Sequence, residues 1–495
     1  MEHIYRSYYT KSDFITQYMV KMLNPSEQDM ILEPCGGDGV FIDSLLSVNS
    51  SLKIDTCDLN DEAVAKLTDK YSGNSNIHIW QTDTLLDDRF DMYAADKNGY
   101  YDKIIGNPPY GGWQEYSRRD ELKKKYNGFY VRETYSLFVL RCISMLKNKG
   151  VLSFIIPDTF LFLHNHTALR SYLLANTKIK EILIFPSKFF PGVSFGYSNL
   201  SIITVEKESN KDVAFGNNVR IIKGMKTDKD LERIRLEKDI EDLTVIVKKQ
   251  EEIFGAEHHA FILSNDHLSD IIANTKLKLG DIADCVTGIY SGDNKRFFAV
   301  ANESVRGGAG YPVAKDEEID KNCISLKGTD NFKYVPVIKS SSRTRYVRDS
   351  IDWYIDWTKD AINHYNNDKK ARFQNSQYYF KHGIALPMVK SSRIYATIMN
   401  KMVFDQSIVG VFPKDKYYYF VLGLMNSEIA NKLIHTINPT ANNSANYLKK
   451  IPILLPSDAD MQYIADKVKD IVDNPENIED RHEEVNEFFN RLYMC

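Results

Sequence analysis

The stretch DKIIGNPPYGG, Asp102 to Gly112, joins a short apolar run, Ile104 and Ile105, to an Asn, two prolines, a Tyr and paired glycines. These residues suit one kind of chemistry. An amino group on a purine ring is a weak nucleophile because its lone pair is delocalised into the ring. It must be drawn toward tetrahedral geometry before it can attack an electrophilic carbon. The Asn107 side-chain oxygen and the Pro108 carbonyl are two acceptors able to take the amino hydrogens and to stabilise the positive charge that develops on nitrogen. The prolines set the loop geometry before reaction. Tyr110 offers a flat face for a base, which a duplex exposes only after the nucleotide is flipped out.

Further groups sit where such chemistry needs a nucleoside-bearing ligand. EPCGGDG, Glu33 to Gly39, follows an apolar run, and its glycines let the backbone turn tightly and approach a ligand without an intervening Cβ. The next apolar run ends in Asp58, about twenty residues on, where a carboxylate can accept from both ribose hydroxyls. Asp83 ends a third run, placed to accept from an adenine amino group. No GxxxxGK[ST] loop is present to hold a triphosphate, so the expected ligand is nucleoside-like.

Strand-length apolar runs alternate with amphipathic stretches through the first half of the chain, the rhythm of βαβ units. Strands are expected at 30–34, 53–59, 77–83, 101–107 and 150–157, and helices at 39–48, 62–71 and 135–146. The order predicts a parallel sheet wound by helices. Ligands on such sheets bind outside the carboxyl ends of the strands, where Glu33, Asp58, Asp83 and Asn107 all fall.

At 495 residues and 43% hydrophobic composition, the chain exceeds what one core usually supports, so two domains are expected. It has no apolar run of about eighteen residues and no signal-like N-terminus, which predicts a soluble, cytoplasmic protein. Six cysteines without a CxxC pair suggest neither a zinc site nor a disulfide framework. The net charge of -4 hides an asymmetry. Residues 333–401 hold thirteen Lys or Arg against five Asp, a net +8, and residues 457–495 hold four against eleven acids, a net -7. In the basic block, Trp353, Tyr354, Trp357, Tyr365, Phe373, Tyr378, Tyr379 and Phe380 interleave with the charges, a mix suited to phosphate contacts and base stacking.

Motif by motif, the chain resembles the S-adenosylmethionine-dependent N6-adenine DNA methyltransferases of the gamma arrangement, the TaqI-like enzymes of restriction-modification systems. YYT (Tyr8 to Thr10) is similar to the segment covering the methionine part of the cofactor, with Lys11 where that family usually has Pro. EPCGGDG resembles the (D/E)PxxGxG cofactor loop, with Gly36 where Cys or Ala is common. NPPY matches the catalytic motif. SKFFPGVSFGYSNLSIITVEK (187–207) resembles the following motif, whose aromatic stacks on the other face of the flipped base; Phe190 is the choice, Phe189 and Phe195 the alternatives. LKLGDIADCVTGIYSGDNKRFF (277–298), YYYFVLGLMNSEIANKLI (417–434) and NNSANYLKKIPILLP (442–456) resemble the start and end of a target-recognition domain.

The resemblance implies a doubly wound, mostly parallel, Rossmann-like α/β methyltransferase sheet plus a mixed α/β target-recognition domain. It places the catalytic domain over 1–245 and the recognition domain over 262–456; charge patterning predicts an acidic helical tail over 457–495 and a charged surface connection, partly helical, over 225–252. It implies S-adenosylmethionine as cofactor, held by Tyr9, Thr10, Glu33, Pro34, Cys35, Gly37, Asp58, Leu59, Asp83 and Thr84. Asn107, Pro108, Tyr110 and Phe190 would be catalytic. Arg118, Arg119, Arg343, Arg345, Arg372 and Lys390 would contact DNA. The expected partners are double-stranded DNA and a cognate restriction endonuclease acting on the same site, with no membrane and no metal, for a monomeric, nucleoid-associated protein. HNH at His164 to His166 lacks metal-ligand spacing and is read as surface or helix cap. Motifs begin so near residue 1 that no cleavage domain is expected ahead of them. RNA-base or protein-glutamine N-methylation, and a non-catalytic DNA-binding scaffold, are the competing readings.

Overall fold

The computed structural model describes residues 10, 12–111, 116–190, 199–263, 267–388, 394–438 and 444–494. It divides into two compact units, Met1–Leu263 and Ser264–Cys495. The first contains α1 (Asp13–Leu23), β1 (Met30–Glu33), α2 (Val40–Val48), β2 (Lys53–Asp58), α3 (Asp61–Tyr71), β3 (Ile77–Gln81), α4 (Asp88–Ala95) and β4 (Tyr101–Gly106). It continues with α5 (Tyr116–Lys125), α6 (Thr134–Met145), β5 (Leu146–Pro157), α7 (Thr167–Asn176), β6 (Thr177–Pro186), β7 (Asn199–Lys207), β8 (Asn218–Lys223) and β9 (Thr244–Lys249).

Nine strands form one sheet in the order β3-β2-β1-β4-β5-β7-β6-β8-β9. The first five are mutually parallel, as the βαβ pattern predicts, whereas β7 is antiparallel to both β5 and β6. Ile31, Leu32, Ile104, Ile105, Leu152 and Phe154 are fully buried, and α1 and α6 pack on the central strands. These runs are apolar at successive positions because a parallel strand in such a sheet is covered on both faces. The winding reverses between β1 and β4, which pair through Leu32 and Ile104. This switch point sets the loops after β1 and β4 side by side at the carboxyl edge.

Residues 225–252 are not a surface connection. They carry a helix, Asp230–Leu236, and then β9, which pairs antiparallel with β8 and extends the sheet. In β9 Ile246 is buried while Val245 and Val247 are exposed, a period-two pattern masked by the surrounding charges. The unit runs on to Leu263, with Ile253 and Phe261 in its core, rather than ending at 245.

The second unit is mixed α/β. Its strands are β10 (Ala283–Thr287), β11 (Phe298–Val300), β12 (Tyr334–Ile338), β13 (Trp353–Asp356), β14 (Gly383–Pro387), β15 (Thr397–Met399), β16 (Val403–Phe404) and β17 (Ile408–Pro413). They form two four-stranded sheets, β10-β17-β14-β15 and β11-β13-β12-β16. Residues 457–495 are not an appended tail: helices Asp458–Asp473 and Ile478–Met494 place Val468, Val485 and Phe489 in one core with Leu422 and Leu433. Among the described residues, no helix is long and apolar enough to cross a membrane.

Candidate active site

The loop after β1 turns through Gly37 (φ 52) and Gly39 (φ 74), conformations that disfavour a side chain. A Cβ on Gly36 would lie 2.4 Å from Thr56 Oγ1 and 2.8 Å from Leu67 Cδ1, so a larger residue here requires both side chains to move. The Asp58 carboxylate at the end of β2 holds the loop: Oδ2 accepts from the Gly37 amide (3.0 Å) and Oδ1 from the Asn60 amide (2.9 Å). Each oxygen keeps a second lone pair, enough for a pair of vicinal hydroxyls.

A small cleft, open to solvent, lies over these loops, and Thr10, Glu33, Cys35, Gly37, Asp58 and Asn107 are among its lining. Thus six of the residues expected from sequence meet at one site. Asp38, Phe41 and Pro109 line it as well. The Asn107 Nδ2 donates to Thr10 Oγ1 (3.3 Å), which sets the orientation of the amide. Tyr110 is only 1% exposed, so the aromatic of the loop is buried rather than displayed.

Glu33 is 1% exposed, and its Oε2 has no hydrogen-bond partner among the described residues. Burial first, then the Asp58 and Asp43 carboxylates, push its pKa well above the usual Glu range. A carboxyl with a raised folded-state pKa favours the native state below its ordinary value of 4.5, and that contribution is lost as pH rises through the raised value. Glu33→Gln, which keeps the shape without the titration, is therefore expected to melt higher than the natural protein at pH 8, by about 2–4 °C for each kcal/mol recovered. Calorimetry at pH 5 and pH 8 measures this. A variant melting below the natural protein at both values would count against it.

Other expected residues have different surroundings. Leu59 is 37% exposed at the end of β2. Thr84 turns inward, donating to the Pro34 carbonyl (2.6 Å), so it joins two loops and does not face the cleft. Asp83 is held by Arg118, with Nε to Oδ2 at 2.8 Å and Nη2 to Oδ1 at 3.2 Å. Arg118 is thus engaged with the sheet edge rather than free for a duplex. Phe190 is buried against Phe185, with ring centroids 6.2 Å apart. Tyr9, Phe195 and Lys390 lie outside the described residues.

The basic block departs furthest from expectation. Its aromatics build a core of their own, with Trp357 fully buried and its ring 5.8 Å from Phe373 and 5.4 Å from Phe380. Trp353, Tyr354, Trp357, Tyr365, Tyr379 and Phe380 are buried and so not available for base stacking, while Phe373 and Tyr378 are half-buried. Arg345 is 7% exposed, paired with Glu479 and lying over Tyr395 (4.9 Å), so it ties the C-terminal helix to this unit. Lys339 is paired with Asp405 at 3.5 Å. Arg343, Lys369, Lys370 and Arg372 are exposed.

Sequence reasoning missed the brace beneath the Asn107 loop. Thr134, the first residue of α6, donates from Oγ1 to the Pro109 carbonyl (2.7 Å), and the Gly111 Cα approaches the Arg132 backbone so closely that a Cβ would sit 2.9 Å from its carbonyl oxygen. His166 stands at the N-cap of α7, as the cap reading has it, but its side chain is buried rather than capping, with Nε2 2.6 Å from Glu133 and 3.0 Å from the Tyr135 hydroxyl. Nothing local in the sequence marks these partners. If the brace positions Asn107, Thr134→Val is expected to lower kcat about tenfold with little change in KM, and Thr134→Ser to restore it. Steady-state kinetics with both variants test this; a Ser variant as slow as Val would count against a hydrogen-bonding role. Among the described residues no group of His, Cys, Asp or Glu could hold a metal ion.

A mostly parallel sheet, with β7 inserted antiparallel and β9 antiparallel at one edge, and a glycine-lined cleft over the loops after β1 and β4 define a methyltransferase-type α/β fold. Residues 40–190 match the family described as Eco57I restriction-modification methylase. Among curated relatives, the Type II methyltransferase M.HincII of Haemophilus influenzae is 28% identical over 218 residues, 39% of each chain. The adenine-specific methyltransferase BrxX of Escherichia coli is 22% identical over 367 residues, 72% of this chain and 28% of its own. The alignment therefore spans about two fifths of the length of the first curated relatives. The solved structure of a nuclease-deletion mutant of the Type ISP restriction-modification enzyme LlaGI, in complex with a DNA substrate mimic, shares the fold with a TM-score of 0.58 at 13% identity, over 95% of this chain and 55% of that one.

Proposed function

We propose that this protein is a site-specific DNA adenine N6-methyltransferase that transfers a methyl group from S-adenosylmethionine to the amino group of a flipped-out adenine. The observation that carries the reading is the Asn107-Pro108-Pro109-Tyr110 loop at the end of β4, lining the same cleft as Glu33, Gly37 and Asp58 at the topological switch point. The names of the relatives agree with it.

The donor set fits the cofactor. The Asp58 oxygens have capacity for two ribose hydroxyls, and Glu33 holds a buried oxygen without a partner among the described residues. Leu59 presents an exposed apolar surface for a purine. Bound there, S-adenosylmethionine supplies an electrophilic methyl group. The chain's own residues act on the target base: Asn107 and the Pro108 carbonyl accept the amino hydrogens and stabilise charge developing on nitrogen. Tyr110 and Phe190 are both buried in the free protein, so they hold the ring by its faces only once the flipped base displaces what covers them. The second unit is read as the target-recognition domain, with Arg343 and Arg372 toward the duplex, and a restriction endonuclease of the same site as a partner.

Incubating the full chain with radiolabelled S-adenosylmethionine and, in separate reactions, genomic DNA, total RNA and a protein extract, then separating the nucleosides or amino acids after digestion, tests the assignment. Label in N6-methyl-2′-deoxyadenosine is expected. Label confined to RNA nucleosides or to glutamine of a protein substrate, or no label with any of them, would overturn it.

A further inference from the structure

We infer that Arg118 is a positioning residue that controls the adenine-binding carboxylate: it holds Asp83 closed in the free protein and releases it when a DNA phosphate takes its guanidinium. The inference rests on the nucleoside-site reading above and adds regulation to that site.

The two partners differ in freedom. Asp83 is built into a rigid corner. Its backbone carbonyl accepts from the amides of Leu86 (3.0 Å) and Asp87 (2.9 Å), and its Oδ1 accepts from the Leu85 amide (3.0 Å). Arg141, itself buried, clamps the same corner by donating to the carbonyls of Thr84 (3.3 Å) and Asp87 (2.7 Å). Arg118 lies in the first turn of α5, which follows the Asn107 loop, and reaches Asp83 by a long side chain left 26% exposed. The body of α5 is anchored separately. Leu122 is fully buried, Lys125 pairs with Asp91 at 2.7 Å, and the Tyr126 hydroxyl just beyond the helix donates to the Leu85 carbonyl (2.9 Å). The guanidinium can therefore leave without undocking the helix.

While in place, the fork covers both Asp83 oxygens, and with the Leu85 amide it fills three of the roughly four acceptor positions of a carboxylate. The cleft lining accordingly includes Glu33, Asp58 and Asn107 but no residue of the β3 end. A planar guanidinium fork matches phosphate as well as carboxylate, so a nucleic-acid backbone is a chemically equivalent partner for it. Lys124, on the same helix, and the exposed, Asp120-paired Lys123 add positive charge. Exchange of Arg118 from Asp83 to phosphate would open the adenine end, so DNA and the nucleoside would favour each other's binding, and linkage makes the effect equal in both directions.

Titration calorimetry of the full chain with S-adenosylhomocysteine as probe, with and without a mixed-sequence duplex, tests this on the natural protein, Arg118→Gln and Arg118→Lys, each checked for folding by circular dichroism. Arg118→Gln is expected to bind the probe about tenfold more tightly than the natural protein without DNA, a coupling in the usual range. Arg118→Lys should fall between. DNA should tighten the natural protein by a similar factor and the Gln variant hardly at all. Equal or weaker probe binding by Arg118→Gln, or a DNA effect that survives in it, overturns the inference while leaving the nucleoside site standing. Absence of probe binding by all three folded proteins overturns the nucleoside site itself, and the inference with it.

Discussion

Asn107→Ala is expected to lower turnover by roughly a hundredfold to a thousandfold, the usual cost of removing one preorganised charge-stabilising group. Affinity for cofactor and duplex should change little, because the acceptor acts mainly as the amino nitrogen rehybridises and gains charge. The orientation of the side chain supports this division. Nδ2 is engaged by Thr10, so the amide cannot flip without breaking that hydrogen bond, and the loop backbone is held through Thr134. Single-turnover kinetics with saturating DNA, beside equilibrium binding of the cofactor, separate the two effects. Turnover within tenfold of the natural protein would remove Asn107 from the chemistry.

A second large effect is expected at the surface of the basic block. Replacing Lys369, Lys370 and Arg372 together by Gln should weaken DNA binding and make the dependence of log affinity on log salt shallower by up to about 2.7, close to 0.9 for each phosphate no longer neutralised. These side chains are exposed, so fold and cofactor binding should be unaffected. Fluorescence anisotropy across a series of KCl concentrations measures the slope. A variant with the natural slope would mean that the phosphate-binding surface is built from other residues.

Much of the first unit could be read from its amino acids because parallel strands buried on both faces are continuous apolar runs. Ile31-Leu32 and Ile104-Ile105 each announce a strand, and the acid or Asn that follows announces its carboxyl end. The edge strand β9 was hidden because only Ile246 of its short Val-Ile-Val run is buried, and the paired lysines and charged residues around that run read as a surface segment. Composition failed in the basic block for a different reason. A Trp or Tyr between lysines has the same composition whether it stacks on a base or on Phe373, and only the packing of Trp357 decides. Arg345 could not be recognised as an internal tie because its partner Glu479 lies 134 residues away. The pairing of Arg118 with Asp83 was equally out of reach, since the motifs point each residue at a ligand and neither at the other.

The pairing of β10 with β17 sets the order of events during synthesis. In the first unit each parallel strand finds a neighbour soon after it is made: Leu32 pairs first with Asp55 and then with Ile104. In the second, Ala283 must wait for Pro413, and the same core takes Val468, Val485 and Phe489 from the final two helices. Closing so long a loop carries a large entropic cost and slows folding. On the ribosome the first unit should therefore reach its native state while the second is still an open chain with its apolar strands uncovered. Chaperone dependence and losses to aggregation should accordingly fall on the second unit, and slower translation of its last hundred or so codons would lengthen that exposure.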